Sequence, residues 1–381
     1  MHVRLKHILF LLIPIIFFSC KTEKDPVSEP DLEGESLAID YARGFRIEEF
    51  DGYKILTVDN PWPEADHSFD YLLVEDEALV PQNLRYDQRI SIPVGKIVVT
   101  STTHIPSLEA LQKEKTLIGF PGLHYISSET TRNLIENGEV AEIGRNDAIN
   151  TEILISLKPD VVIGFAVNSI NKTYNIIEKS GIPVLYNGDW TEEHPLGKAE
   201  WLKFFGALYN QTEKAAELFE EVEKAYLEAK ELAQTAEDVP TVISGSMFKD
   251  QWYVPYGNSW SAIFIEDANA DYIYKDTKGS GSISLAFETV LNDAQDADFW
   301  ISPGQFKTFR QLNESSVHYN QFKAVQNGNV FTYSNTMGET GGVLYYELAP
   351  NRPDLVLKDL ISIFHPELLP DYKTTFFKSL E

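Results

Sequence analysis

The sequence predicts an α/β protein: two doubly wound lobes joined by a single long α-helix, with a β-rich N-terminal extension in front of them. Three observations carry that expectation. From about residue 96 onward, short apolar runs bounded by turn residues alternate with helix-like stretches, the pattern of parallel sheets covered by helices. Residues 212–235 then keep apolar side chains at three-four spacing (Ala215, Leu218, Phe219, Val222, Ala225, Tyr226, Ala229, Leu232) with Glu and Lys opposite them. At ~1.5 Å per residue this is about 36 Å of helix. After Pro240 the alternation of strand and helix signals restarts.

Taken in order, Arg4 and Lys6 precede an apolar run over 8–18. That is about half the ~20 residues a membrane-spanning helix needs, so residues 1–20 read as a signal peptide. The run ends at Phe17-Phe18-Ser19-Cys20, which resembles the bacterial lipobox, and makes Cys20 the expected lipidation site. Residues 21–36 are polar and contain Pro and Gly, and are expected to form a flexible tether. The first lobe occupies 37–209. It opens with a β-rich extension whose strands are expected at 45–50, 53–58 and 71–74, the first two joined by the Asp51-Gly52 turn. Apolar runs at 96–100, 116–120, 160–165 and 182–186 then read as strands, with helices at 107–113, 130–137, 151–157 and 171–179. One helix is expected over 197–209, a break near Asn210, and a linking helix within 210–237. The second lobe, 238–381, carries segments at 241–244, 252–254, 286–291, 299–302 and 330–333, with helices at 259–268 and 353–364.

Charge and composition exclude several functions. Of 381 residues, 58 are Asp or Glu and 32 Lys or Arg, a formal net charge of −26 that repels nucleic acid. One Cys permits no intrachain disulfide and no Cys-rich zinc module. There is no G-x-S-x-G elbow, H-E-x-x-H helix, Walker A loop or EF-hand loop, so no enzyme is expected.

Several segments, in this order along the chain, resemble the substrate-binding proteins of ABC transporters for ferric siderophores, haem and cobalamin. They are Val98-Val99-Thr100-Ser101 before a helix, Lys158-Pro159-Asp160 before a buried strand, Gly181-Ile182-Pro183-Val184, and 296–302 in the second lobe. The segment 322–331, Arg352-Pro353-Asp354-Leu355 and His365-Pro366-Glu367-Leu368 continue the match, which covers roughly 95 to 380. The resemblance implies a class III periplasmic binding protein: two Rossmann-like lobes about one rigid helix, monomeric, lipid-anchored in the periplasm. It would capture an iron complex, a ferric siderophore, between the lobes and deliver it to a permease. Cobalamin or haem is the alternative ligand within the family, and a ligand sensor or scaffold lipoprotein is the alternative outside transport. No resident cofactor or bound metal ion is expected.

In open α/β sheets ligands sit beyond the carboxyl ends of the strands. In this arrangement the ligand-binding candidates are Thr103, His104, His124, Tyr125, Phe165 and Trp190 in the first lobe. Those in the second are Trp252, Tyr256, Ser259, Trp260, Phe306, Arg310 and Met337. Aromatic rings suit the planar groups of a chelate, Ser259 can present a helix N-terminus, and Arg310 can meet a carboxylate or catecholate. The family docks on its permease through one surface acid per lobe. Glu288 matches the second-lobe position; Asn171 stands where the first-lobe acid would be, with Glu193 as substitute.

Overall fold

Two five-stranded sheets organise the body in the computed structural model, which describes residues 34–381 apart from 64, 66 and 168–170. The expectations for the signal peptide, for Cys20 and for the tether before residue 34 fall outside the described residues. Residues Gly34–Glu381 form one compact unit.

The first-lobe sheet is parallel throughout. Its strands are ordered Val184–Tyr186, Val161–Gly164, Ile97–Val99, Leu117–Phe120 and Ala141–Glu142. Its centre reads as uninterrupted Val and Ile because helices cover both faces, and Val161, Val162 and Ile163 are completely buried. The second-lobe sheet is ordered Asp271–Tyr272, Thr241–Ser244, Phe299–Ile301, Val330–Thr332 and Lys378–Ser379, with only the last strand antiparallel. The extension is a third five-stranded sheet, in chain order from Glu35–Ser36 to Gln88–Ser91.

The Thr212–Ala233 helix links the lobes and follows the left-handed Asn210, where the break was expected. Gly206 lets the preceding helix approach it, since a Cβ there would lie 2.5 Å from that of Ala215. Its buried stripe (Ala215, Phe219, Tyr226, Ala229, Ala233) faces the protein, and it packs on the terminal helix Pro353–Phe364. The Tyr226 hydroxyl donates to Asp267 and Lys230 pairs with the same carboxylate at 2.7 Å, tying the helix to the second lobe.

Three expectations are corrected. The helix at 197–209 is two, Pro195–Glu200 and Leu202–Leu208, meeting at the buried Trp201. The 252–254 segment lies in the antiparallel ribbon Ser246–Phe248, Gln251–Pro255 and Ser282–Leu285, outside the parallel sheet. Residues 35–36, given to the tether, pair with Glu49 and Glu48 as the first strand of the extension.

Two buried carboxylates fasten the extension to the first lobe. Glu200 accepts the amides of Asp40, Tyr41 and Ala42 at 2.8–2.9 Å and pairs with Lys203 at 2.8 Å, whose ammonium also donates to the Ala38 carbonyl. Glu192 accepts the amides of Arg43 and Gly44 at 2.9 Å and the Trp201 indole N–H at 3.0 Å. Removing one partner of such an arrangement strands buried donors and an unpaired ammonium. Glu200→Ala is therefore expected to lower stability by about 3–5 kcal/mol in urea unfolding, whereas exposed Glu213→Gln stays within about 0.5 kcal/mol. Equal midpoints for the two variants would contradict this role.

Candidate functional site

The carboxyl ends of the second-lobe strands open on a cavity of about 550 Å³. Its floor is backbone and small side chains: Ser244, Gly245 and Ser246 after one strand, Ser302 and Gly304 after the next. Gly245 is required there, because φ is +81° and a Cβ would fall 1.9 Å from the Tyr253 carbonyl oxygen. The walls are aromatic. Tyr333 stacks on Tyr345 at 4.2 Å and 7°, and the Tyr333 and Tyr346 hydroxyls lie 3.2 Å apart. Tyr253 and Phe248 are exposed and also line the cavity. None of the described residues lining this cavity is charged.

Trp260 divides this cavity from a second one of about 480 Å³, and Pro255, Ser261 and Ser282 also line both. It opens the Trp260–Asp267 helix, whose N-cap Ser259 Oγ accepts the Ala262 amide at 3.3 Å. Lys198, from the first lobe, holds its ammonium 5.1 Å from the Trp260 ring centroid and donates to the carbonyls of Asp189 and Trp190 at 3.0 and 3.1 Å. Burial pushes the Lys198 pKa down, against the pull of Asp189 and Glu192. Trp190, 38% exposed on the short helix after Val184–Tyr186, faces the second cavity with Glu193. Asn258 Nδ2 donates to Glu193 Oε1 at 3.0 Å, so the lobes touch at this rim.

The lobes meet again at the loop 337–343. Glu347, 2% exposed, accepts the amides of Ser127 and Ser128 at 2.6 and 2.8 Å. Asn351 accepts from the Ser107 hydroxyl and donates to the Thr103 carbonyl, and Thr340 donates to the carbonyl of His124. Burial pushes the Glu347 carboxyl up to about 7; the two amides oppose the shift and the neighbouring Glu109 carboxylate adds to it.

The expected site residues divide accordingly. Trp190, Ser259 and Trp260 line the cavities together. Thr103, His124 and Tyr125 sit at the interlobe contact, and Met337 lines a separate pocket beside Ser127 and Arg132. Tyr256 packs its ring on Gly279, and Phe165 is half-buried behind its strand. Four expectations are corrected. Trp252 is fully buried, its indole N–H bonded to the Ser244 carbonyl among Trp300, Tyr319 and Phe322. His104 is fully buried against Phe205. Phe306 is half-buried on Tyr319 against the second-lobe core and lines neither cavity. Arg310 is exposed, with Glu314 at 3.9 Å, and lines neither cavity. Glu193 and Glu288 are both exposed, Glu193 at the cleft rim where it accepts from Asn258 and Glu288 on the first turn of Phe287–Ala294. Sequence reasoning missed Tyr333, Tyr345, Tyr346 and Glu347, although the Tyr345-Tyr346 pair after Gly341-Gly342 was a usable signal. Among the described residues no group of three or more His, Cys, Asp or Glu could hold a metal ion, and no helix is long and apolar enough to cross a membrane.

The periplasmic binding protein family model matches residues 97–336. An uncharacterized lipoprotein of Methanocaldococcus jannaschii is 31% identical over 298 residues, covering 76% of this chain and 69% of the relative. Among solved structures, a periplasmic heme binding protein from Pseudomonas aeruginosa aligns with a TM-score of 0.55 and 16% identity, covering 76% of this chain and 98% of that one. An ABC-type Fe3+-hydroxamate transport system protein from Saccharomonospora viridis aligns with a TM-score of 0.53 and 16% identity, over 72% and 94% of the two chains. These likenesses show the two-lobed fold of class III periplasmic binding proteins.

The raised Glu347 carboxyl has a defined effect on stability. The folded chain keeps this proton up to about pH 7, while the unfolded chain releases it near the ordinary 4.5, so stability falls as pH rises between the two. Glu347→Gln is expected to flatten the decline of the urea midpoint between pH 5 and 8. A wild-type slope in the variant would contradict the assignment.

Proposed function

Because the chain belongs to the periplasmic binding protein family, we propose that it is the lipid-anchored substrate-binding component of an ABC transporter, capturing a ferric siderophore between its lobes. The observation that carries this reading is the pair of adjoining cavities that share Trp260: aromatic rings wall both, the larger belongs to the second lobe, and the smaller is bordered by both lobes. Stacking and hydroxyl contacts are what a rigid chelate with planar faces and polar edges offers. The uncharged lining of the larger cavity favours a chelate without net charge, such as an iron tris-hydroxamate, over an anionic tris-catecholate, which would need buried cations. Interlobe bonds through Glu347 and Asn351 support a largely preformed cleft, in which little binding energy goes into ordering. Glu288 is the proposed second-lobe contact to the permease, a rim charge that steers docking, and Cys20 is the proposed anchor.

Titration of tryptophan fluorescence in the chain without residues 1–20 tests this. Saturable quenching by an iron tris-hydroxamate is expected, weakened at least tenfold in Trp260→Ala and Trp190→Ala. Quenching by haem or cobalamin alone would reassign the ligand, and silence toward every chelate would overturn the uptake function.

A further inference from the structure

The smaller cavity has a wall that comes from the β-rich extension and from neither parallel sheet with its helices. Asn60, Trp62 and Pro63, in the loop after the Tyr53–Val58 strand of the extension, line it together with Ser259 and Trp260. They lie outside the family match, which begins at residue 97. From this juxtaposition we propose that the 59–63 loop is a third wall of the binding cleft and contacts a peripheral arm of the bound chelate, a specificity element added to the two-lobed site.

The loop is held as a binding wall needs to be. Trp62 is 6% exposed and packs edge-on to Tyr186 of the first-lobe sheet at 5.5 Å, with Phe69 at 5.9 Å. The loop begins with Asp59, whose amide donates to the Gly44 carbonyl, directly beside the amides that Glu192 holds. The wall is therefore registered to the first lobe through the sheet and through a buried carboxylate, while its exposed members, Asn60 and Pro63, border the cavity. Across the space lies the 279–282 turn, positioned by the Gly279 amide on Asn258 Oδ1 at 2.9 Å, and Asn258 in turn bonds Glu193. All three parts of the chain thus converge on one rim.

The lining selects the arm. Trp190, Trp260 and Pro63 offer apolar surface, and Asn60, Ser259, Ser261 and Ser282 offer neutral hydrogen-bonding groups. Among the described residues its charged members are the carboxylates of Glu192 and Glu193. An uncharged arm with apolar and amide character fits, and a carboxylate-bearing arm is repelled. Because the smaller cavity adjoins the larger one at Trp260, a compact chelate spans the larger cavity and the Trp190–Trp260 edge of the smaller, and one bearing such an arm reaches the extension.

This inference rests on the chelate-binding function proposed above, and the test separates the two. Binding of two iron tris-hydroxamates, one compact and one carrying an uncharged acyl arm, is measured on the full-length chain and on Asn60→Asp and Pro63→Glu. Both substitutions are at exposed positions, and Asp tolerates the left-handed backbone of residue 60. Each is expected to raise Kd for the arm-bearing complex at least fivefold and leave Kd for the compact one within twofold, with unchanged urea midpoints. Equal Kd values across wild type and both variants would overturn the third wall while leaving the chelate-binding function standing. Equal losses for both complexes would overturn the assignment of the wall to the arm, and absence of binding by the wild type would overturn both proposals.

Discussion

Five consecutive backbone amides, those of residues 40–44, end on two buried carboxylates, Glu200 and Glu192. A chain crossing from a sheet to a foreign lobe must satisfy its amides somewhere, and a buried carboxylate must find donors. Each side meets the other's requirement here. The consequence extends beyond the junction: Glu192 also holds Trp201, on which Phe45 packs at 4.7 Å, and Gly44 is glycine because a Cβ would meet the Trp201 ring at 2.8 Å. The extension is thereby fixed in register with the first-lobe sheet, and its loop is fixed at the rim of the cleft.

The two lobes are held by a comparable device on the other flank. Glu347 reaches from the second lobe to two first-lobe amides, and Gly338 and Gly342 let the intervening loop press on Ser127 and Tyr125 closer than any side chain would allow. Between these flanks the long helix and the terminal helix form a shared base. Recognition in such a frame depends on which side chains the fixed backbone presents, hence on Trp260 and the tyrosines more than on a large domain motion.

Much of this was legible in the sequence. Apolar runs such as 161–164 are buried on both faces and announce parallel strands, and Asn210 marks the break that the backbone makes with positive φ. The joined helix at 197–209 was misread because Trp201 continues the apolar pattern through the corner. Trp190 and Trp260, flanked by turn residues, line the cavities, whereas Trp252, at the start of its strand, lies in the core. The ribbon Gln251–Pro255 turns that side chain inward, a tertiary fact without a local signal. The interlobe partners of Glu347 have no local signal either, whereas the Tyr345-Tyr346 pair has one in the sequence and only folding brings Tyr333 onto it.

Hydrogen exchange with and without an iron tris-hydroxamate tests most directly whether one cleft, bordered by both lobes, holds the ligand. The account predicts added protection at 187–193 in the first lobe together with 244–246, 255–261 and 333–346 in the second. Protection confined to one lobe, or falling on its outer helices, would contradict it.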